Sequence, residues 1–167
     1  MPLSYPVPGI PARRCGLREK GMPLSVGVLV RYRGHLLGIS RKKDTSKWGL
    51  PGGKVDPEDG PPDDDFTLRR AARRELLEET GIDVSAADLT ILHDGPCASG
   101  KPDGVTFWQT TCGLDLDGQI ASARATAPAP QVGDGALMWL STWAPLLEGP
   151  FGGYNAALKA AVDPDGV

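Results

Sequence analysis

The chain has 167 residues, of which 40% are apolar and 23% charged, a composition that suits one folded domain with a buried core and argues against wholesale disorder. The net charge of −3 hides an asymmetry: residues 1–48 carry 10 Lys/Arg and 2 Asp/Glu, residues 49–81 carry 5 and 9, and residues 82–167 carry 3 and 10. This division suits an anionic ligand held together with a metal ion. No apolar run approaches the roughly 18 residues of a membrane span, and the start lacks a signal-type apolar stretch. Three cysteines, Cys15, Cys97 and Cys112, form no CxxC pair. A disulfide scaffold or zinc site is therefore not expected, and the expected location is the reducing cytoplasm.

Residues 1–22 hold Pro2, Pro6, Pro8 and Pro11, followed by Arg13, Arg14, Arg18 and Lys20. Proline lacks the backbone donor that helix and sheet interiors use, so this stretch reads as an irregular extension. The folded domain is expected over residues 23–162, with residues 163–167 as a tail. Residues 25–33 and 35–40, rich in β-branched and aliphatic residues around Gly34, predict a hairpin. Residues 44–47 read as a loop, and residues 48–53 (WGLPGG) as a short apolar segment ending in a turn. Residues 56–65 contain three prolines, one glycine and six acids, and predict an exposed loop that buries almost nothing. Residues 66–80 predict a helix. They contain no Gly or Pro, Leu68, Ala72 and Leu76 make an apolar stripe, acids precede the start, and Gly81-Ile82 suits a glycine cap. Beyond it, residues 89–92, 105–112 and 136–140 read as strands, and residues 143–147 and 154–162 as helices. Strands and helices without regular alternation predict an α+β or layered domain.

The helix carries the chemistry. At roughly 100° per residue, Glu75 and Glu79 fall about 40° apart around the axis, and Glu78 about 60° to the other side of Glu75. Three carboxylates thus share one face of the helix. Neighbouring like charges cost roughly 0.2–0.5 kcal/mol per pair, a cost that a hard divalent cation reverses. Arg73 and Arg74 stand close enough to orient or neutralise part of the cluster. A bare ExxEE is more often a solvated acidic face, so the surrounding residues decide its meaning.

Those residues are Trp48-Gly-Leu-Pro-Gly-Gly53 upstream and Thr80-Gly81-Ile82 behind the acids. Together they resemble the Nudix hydrolase family, whose signature reads G-x5-E-x7-R-E-U-x-E-E-x-G-U with U aliphatic. Arg74, Glu75, Leu76, Glu78, Glu79, Gly81 and Ile82 match the second half without a gap, and Gly53 supplies the opening glycine. The resemblance extends from residue 25 to about 162. It implies an α/β/α sandwich with a mixed β-sheet and the motif helix packed on it. It also implies Mg²⁺- or Mn²⁺-assisted water attack at phosphorus on a nucleoside diphosphate linked to another moiety, such as a nucleoside triphosphate or nucleotide sugar. Glu75, Glu78, Glu79 and the Gly53 carbonyl would hold the metal, and Arg74 would orient Glu75. One departure stands out: Arg74 follows Gly53 by 21 positions instead of 14, so seven residues are extra. The simplest reading makes them a solvated excursion within residues 56–65. The alternative is that Asp59, at the right spacing from Gly53, or Asp65, beside the position counted back from Arg74, replaces the signature's first Glu.

Further candidates follow from the resemblance and from residue type. Asp134, in the loop before the late strand, is a candidate base or extra ligand, though it also reads as a turn aspartate. Arg41, Lys42 and Lys43 could meet phosphates, and Trp48 or Trp108 could stack a base, although such residues often serve surface and core. His35 and His93 lack metal-ligand spacing and have no assigned role. A nucleotide or its derivative is the expected partner, with no membrane and no specific nucleic acid. Oligomeric state is not readable from the residues, and the resemblance leaves a homodimer open. The competing reading is a non-catalytic nucleotide-sensing module of the same fold, against which the retention of all three acids and Arg74 argues.

Overall fold

Alternation along the first strand sets the architecture. In β1 (Leu24–Tyr32), Val26, Val28 and Val30 enter one core cluster while Leu29 enters another, so both faces of the strand are covered. A computed structural model describes residues 22–41, 44, 46–61, 64–98, 104–116 and 136–167. Residues 1–21, Lys43 and Asp134 lie outside the described residues.

The expected hairpin forms between β1 and β2 (His35–Ser40), with Tyr32 paired to His35. Arg33 (φ 49°) and Gly34 (φ 77°) both take positive φ, as a two-residue turn matched to strand twist requires. The WGLPGG segment then divides β1 from β2. β3 (Trp48–Gly49) pairs with β2, Val28 N–H donates to Pro51 O at 2.9 Å, and β4 (Gly52–Lys54) pairs with β1. Space at this wedge is minimal: a Cβ on Gly52 would overlap the Val26 carbonyl.

The helix, α1 (Asp65–Thr80), covers one face of the sheet with Leu68, Ala71, Ala72 and Leu76, each fully buried. Asp64 caps its start by accepting from Phe66 N–H at 2.8 Å. Gly81 (φ 78°) ends it, donating to Leu77 O. β5 (Thr90–Ala98) and β6 (Thr106–Asp115) are longer than the sequence suggested. β5 runs past the expected end at residue 92 through Asp94-Gly95-Pro96, because it is an edge strand with a register shift at Ile91/His93, and an edge tolerates proline. The main strand order is β3-β2-β1-β6-β5, with β1 and β6 parallel and the other pairs antiparallel; β7 (Leu137–Leu140) adds to β2. The expected α+β layering with a mixed sheet is thus present. On the second face α2 (Ala144–Leu147) and α3 (Gly152–Val162) close over Leu29, Leu36 and Leu140. Residues 163–167 return to Trp143, whose Nε1–H donates to Asp163 Oδ2 at 2.8 Å and whose backbone N–H donates to Val167 O.

The acidic segment departs from expectation. Pro57–Asp59 form a 3-10 turn, and Asp59 and Asp65 are only 7% and 5% exposed, so residues 56–65 are not simply a solvated loop. Composition missed this because burial of a carboxylate depends on its partners, and Asp59 has a guanidinium beside it.

Thr80 joins the helix to its exit. Its hydroxyl, fully buried, donates to Leu76 O at 2.6 Å and accepts from Ile82 N–H at 3.1 Å. Thr80→Val keeps the shape but leaves a buried N–H unpaired, so it should lower unfolding free energy by about 1–3 kcal/mol in denaturant titration.

Candidate active site

Two of the motif carboxylates meet a wedge of chain that has no side chains. Gly53 lies against Glu75 so closely that a Cβ there would overlap the carboxylate. One turn further along α1, Glu79 Oε1 accepts the Gly52 N–H at 2.6 Å. Glu78, on the same helix face, is 57% exposed, whereas the Glu75 side chain is only 14% exposed.

Arg74 gathers the surroundings. Its Nη1 contacts Glu75 Oε1 at 2.9 Å and Glu78 Oε2 at 3.6 Å. Nε and Nη2 meet the two Asp59 oxygens at 3.2 and 2.9 Å, and Nη2 also reaches Lys54 O at 3.0 Å and Asp56 Oδ2 at 3.3 Å. Asp59 accepts in addition the Asp56 N–H at 2.8 Å, while its carbonyl accepts from Arg70 Nε–H at 2.8 Å. Asp59 sits six positions after Gly53, so the extra residues fall between Asp59 and Arg74. The excursion reading of the whole acidic stretch is corrected: its first part supplies the ion partner of Arg74.

Electrostatics separate the acids. Burial raises the Asp59 carboxyl, but hydrogen bonds from Arg74 and Asp56 N–H, with the charges of Arg74 and Arg70, outweigh it and hold the group below its usual range. At Glu75 burial dominates and raises the carboxyl, with Arg74 opposing and Glu78 and Asp56 adding to the rise. Hydrogen bonds to Asp59 and Glu75 raise Arg74 further above its ordinary value, against the effect of burial.

Gly52, Gly53 and Glu79 form one end of a cleft of about 1260 Å³. Arg41, Lys47 and Lys54 line it, as do Phe107, Phe151 and Gln109. The Arg41 guanidinium lies 5.5 Å from the Phe151 ring centre. Trp48 packs with the second core cluster, over Gly38, and Trp108 is buried at 6% exposure. Asp134 and Lys43 fall outside the described residues; Ala136, two positions after Asp134, donates through its N–H to Ser40 Oγ at 3.0 Å. Phe107, Phe151 and Gln109 were not singled out from sequence. The only signal for two of them was alternation in β6, which places Phe107 and Gln109 on one face. Among the described residues no three His, Cys, Asp or Glu side chains are already gathered as a metal-binding group. Glu75 is held by Arg74 and Glu79 by Gly52 N–H, and Glu78 points outward.

A family model described as NUDIX domain matches residues 21–122. A MutT-like protein of Streptomyces ambofaciens is 41% identical over 64 residues, which cover 38% of this chain and 36% of that protein. Among solved structures, the E. coli dihydroneopterin triphosphate pyrophosphohydrolase superposes with a TM-score of 0.59 at 20% identity, covering 83% of this chain and 94% of that one. A MutT/nudix family protein from Enterococcus faecalis gives 0.53 at 21% identity, over 71% and 43%. A bifunctional NMN adenylyltransferase/ADP ribose pyrophosphatase from Francisella tularensis, complexed with AMP and Mn ion, gives 0.50 at 22% identity, over 78% and 38%. The chain therefore spans under half the length of the Streptomyces, Enterococcus and Francisella proteins, and the structural likenesses speak for the fold.

Asp59 has a lowered carboxyl in the folded state, so its contribution to stability is present above the ordinary Asp value of about 4 and is lost as pH falls through the lowered one. Asp59→Asn should cost about 1–3 kcal/mol at neutral pH, tempered by the other partners of Arg74. Urea titrations across pH should show the gap between variant and parent closing under acid conditions.

Proposed function

The chain belongs to the NUDIX family, and on that premise we propose that it is a divalent-metal-dependent hydrolase of phosphoric anhydrides, acting on a nucleoside diphosphate linked to another moiety. The observation that carries this reading is the meeting of Glu75 and Glu79 with the side-chain-free Gly52-Gly53 edge at one end of a cleft lined by Arg41, Lys47 and Lys54. The donor set fits Mg²⁺ or Mn²⁺: hard carboxylate oxygens of Glu75, Glu78 and Glu79, and a Gly53 backbone free of the Cβ that would fill the space against Glu75. These residues and the Gly53 carbonyl would hold the ion, with Glu78 and Glu79 turning from their present contacts. A bound cation neutralises diphosphate charge and makes water a better nucleophile at neutral pH.

The remaining work falls to the protein's own groups. Arg74 holds Glu75 Oε1 and, anchored by Asp59, keeps the carboxylate from swinging toward solvent. Glu75, buried against the Gly53 edge and fixed by Arg74, is placed where a carboxylate oxygen can accept the proton of attacking water. The water oxygen bonds to phosphorus as the bridging P–O bond breaks, giving two phosphate products. Arg41 and Lys43 are assigned to substrate phosphates, and Asp134 to a second base or ligand role. Trp48, which packs over Gly38 and is not among the residues lining the cleft, has no part in this reading.

A phosphate-release screen over nucleoside triphosphates, nucleotide sugars and related diphosphates, with Mg²⁺ and with Mn²⁺, tests the proposal; nucleotide binding without hydrolysis would favour the sensing module. Glu75→Gln and Glu79→Gln should each lower kcat by about 10²–10⁴-fold. Glu75 carries a raised carboxyl, so its ionised form opposes folding at neutral pH. Removing that charge should leave the metal-free melting temperature unchanged or higher, and unchanged rates in both variants would sink the metal assignment.

A further inference from the structure

Besides Glu79 and the Gly52-Gly53 edge, the cleft is lined by an aromatic corner and one neutral polar group, Gln109. Phe107, Gln109 and Thr111 share one face of β6, the face toward α3. Phe107 and Phe151 meet edge to face, with centroids 6.1 Å apart and planes at 81°. Gln109 is half-buried, and its carboxamide rests over Gly27 of β1, where a Cβ would lie 2.5 Å from Nε2. Nearby polar atoms serve the fold: Tyr154 hydroxyl bonds Thr111 Oγ1 at 2.6 Å, Asn155 Nδ2–H donates to Leu146 O, and Ser40 Oγ accepts from Ala136. The Gln109 carboxamide, by contrast, is bonded to no described residue.

We propose that Gln109, in the corner walled by Phe107 and Phe151, is the specificity-determining residue that reads the base of a nucleotide substrate. The inference rests on the hydrolase reading for the position of the diphosphate. From β4 across β1 to β6 is two strand spacings, about 10 Å, a distance that a nucleoside spans from its phosphates. Aromatic walls favour a flat ring over a phosphate or a sugar. A carboxamide presents a donor and an acceptor side by side, which complements the adjacent donor and acceptor on a base edge. Gly27 has a reason in this arrangement, since any side chain there would push the carboxamide out of its place.

The test compares kcat/KM of the parent chain, Gln109→Ala and Gln109→Glu on adenine and guanine nucleoside diphosphate derivatives and on phosphoribosyl diphosphate, which has a sugar but no base. Calorimetric binding of ADP and GDP and a melting curve accompany each protein. Gln109→Ala should lose about 10- to 100-fold on the nucleotides and little on the base-free substrate. Gln109→Glu, which only accepts, should raise the guanine-to-adenine ratio about 10-fold, because guanine offers two adjacent donors. Equal losses on all substrates would make Gln109 a packing residue and overturn the proposal, as would no change on any. Hydrolysis of the base-free substrate alone would overturn it while leaving the hydrolase reading intact. Absence of hydrolysis with Gln109-dependent ADP or GDP binding would remove the hydrolase reading and keep the base reader; absence of both would remove both.

Discussion

The guanidinium of Arg74 is the junction on which the candidate site depends. It ties three pieces of chain that are distant in sequence or separated by a turn: the Lys54 carbonyl of β4, the carboxylates of Asp56 and Asp59 around the 3-10 turn, and Glu75 and Glu78 on the helix. A planar fork of five donors can serve such a divergent set, whereas a lysine, with a single point charge, could not span it. The same contact answers the cost of clustering acids on one helix face. Each like-charge pair opposes the helix by a few tenths of a kcal/mol, and Arg74 sits between them as a fixed counter-charge.

The absence of side chains matters as much as the charges. β1 gives its partnering edge to β2 near the hairpin and to β4 further in, and the Trp48–Gly53 segment fills the gap between them. At that wedge a Cβ on Gly52 would run into the Val26 backbone carbonyl, and a Cβ on Gly53 would displace the Glu75 carboxylate from its present place. Helix α1 lies on one face of the sheet and α3 on the other. At the wedge Glu79, from the helix, bonds Gly52 N–H and joins Gly52 and Gly53 in lining the cleft. The requirement for two successive glycines is therefore steric contact, and neither takes a positive φ.

Burial, not sequence spacing, differentiates the three helix acids. Glu75 and Glu78 are near neighbours around the axis, yet one is packed against Gly53 and the other faces solvent. The packed one has its carboxyl raised, and the nearby Asp59, also buried, has its carboxyl lowered because Arg74 holds it with two hydrogen bonds. One guanidinium thus sits between a carboxylate it fully stabilises and one it only partly compensates.

What the sequence by itself determined is what local rules and short spacings can carry. Helix α1 was legible because its apolar stripe, acidic start and glycine end act within single turns, and the hairpin because Gly34 lies between two β-branched runs. The placement of Glu75, Glu78 and Glu79 on one helix face needed only the helical period. Tertiary structure alone decided the rest. Composition made residues 56–65 look solvated, but Asp59 is buried because Arg74, fifteen positions away, comes to it. Strand β5 runs through Gly95 and Pro96 because it lies at the sheet edge, which no local pattern announces. The corner of Phe107, Gln109 and Phe151 joins β6 to the start of α3 across the sheet face, and contacts over such separations leave no periodic mark in the chain. Local order follows from neighbours in sequence; pairing of charges and the walls of a cleft follow from which distant segments the sheet brings together.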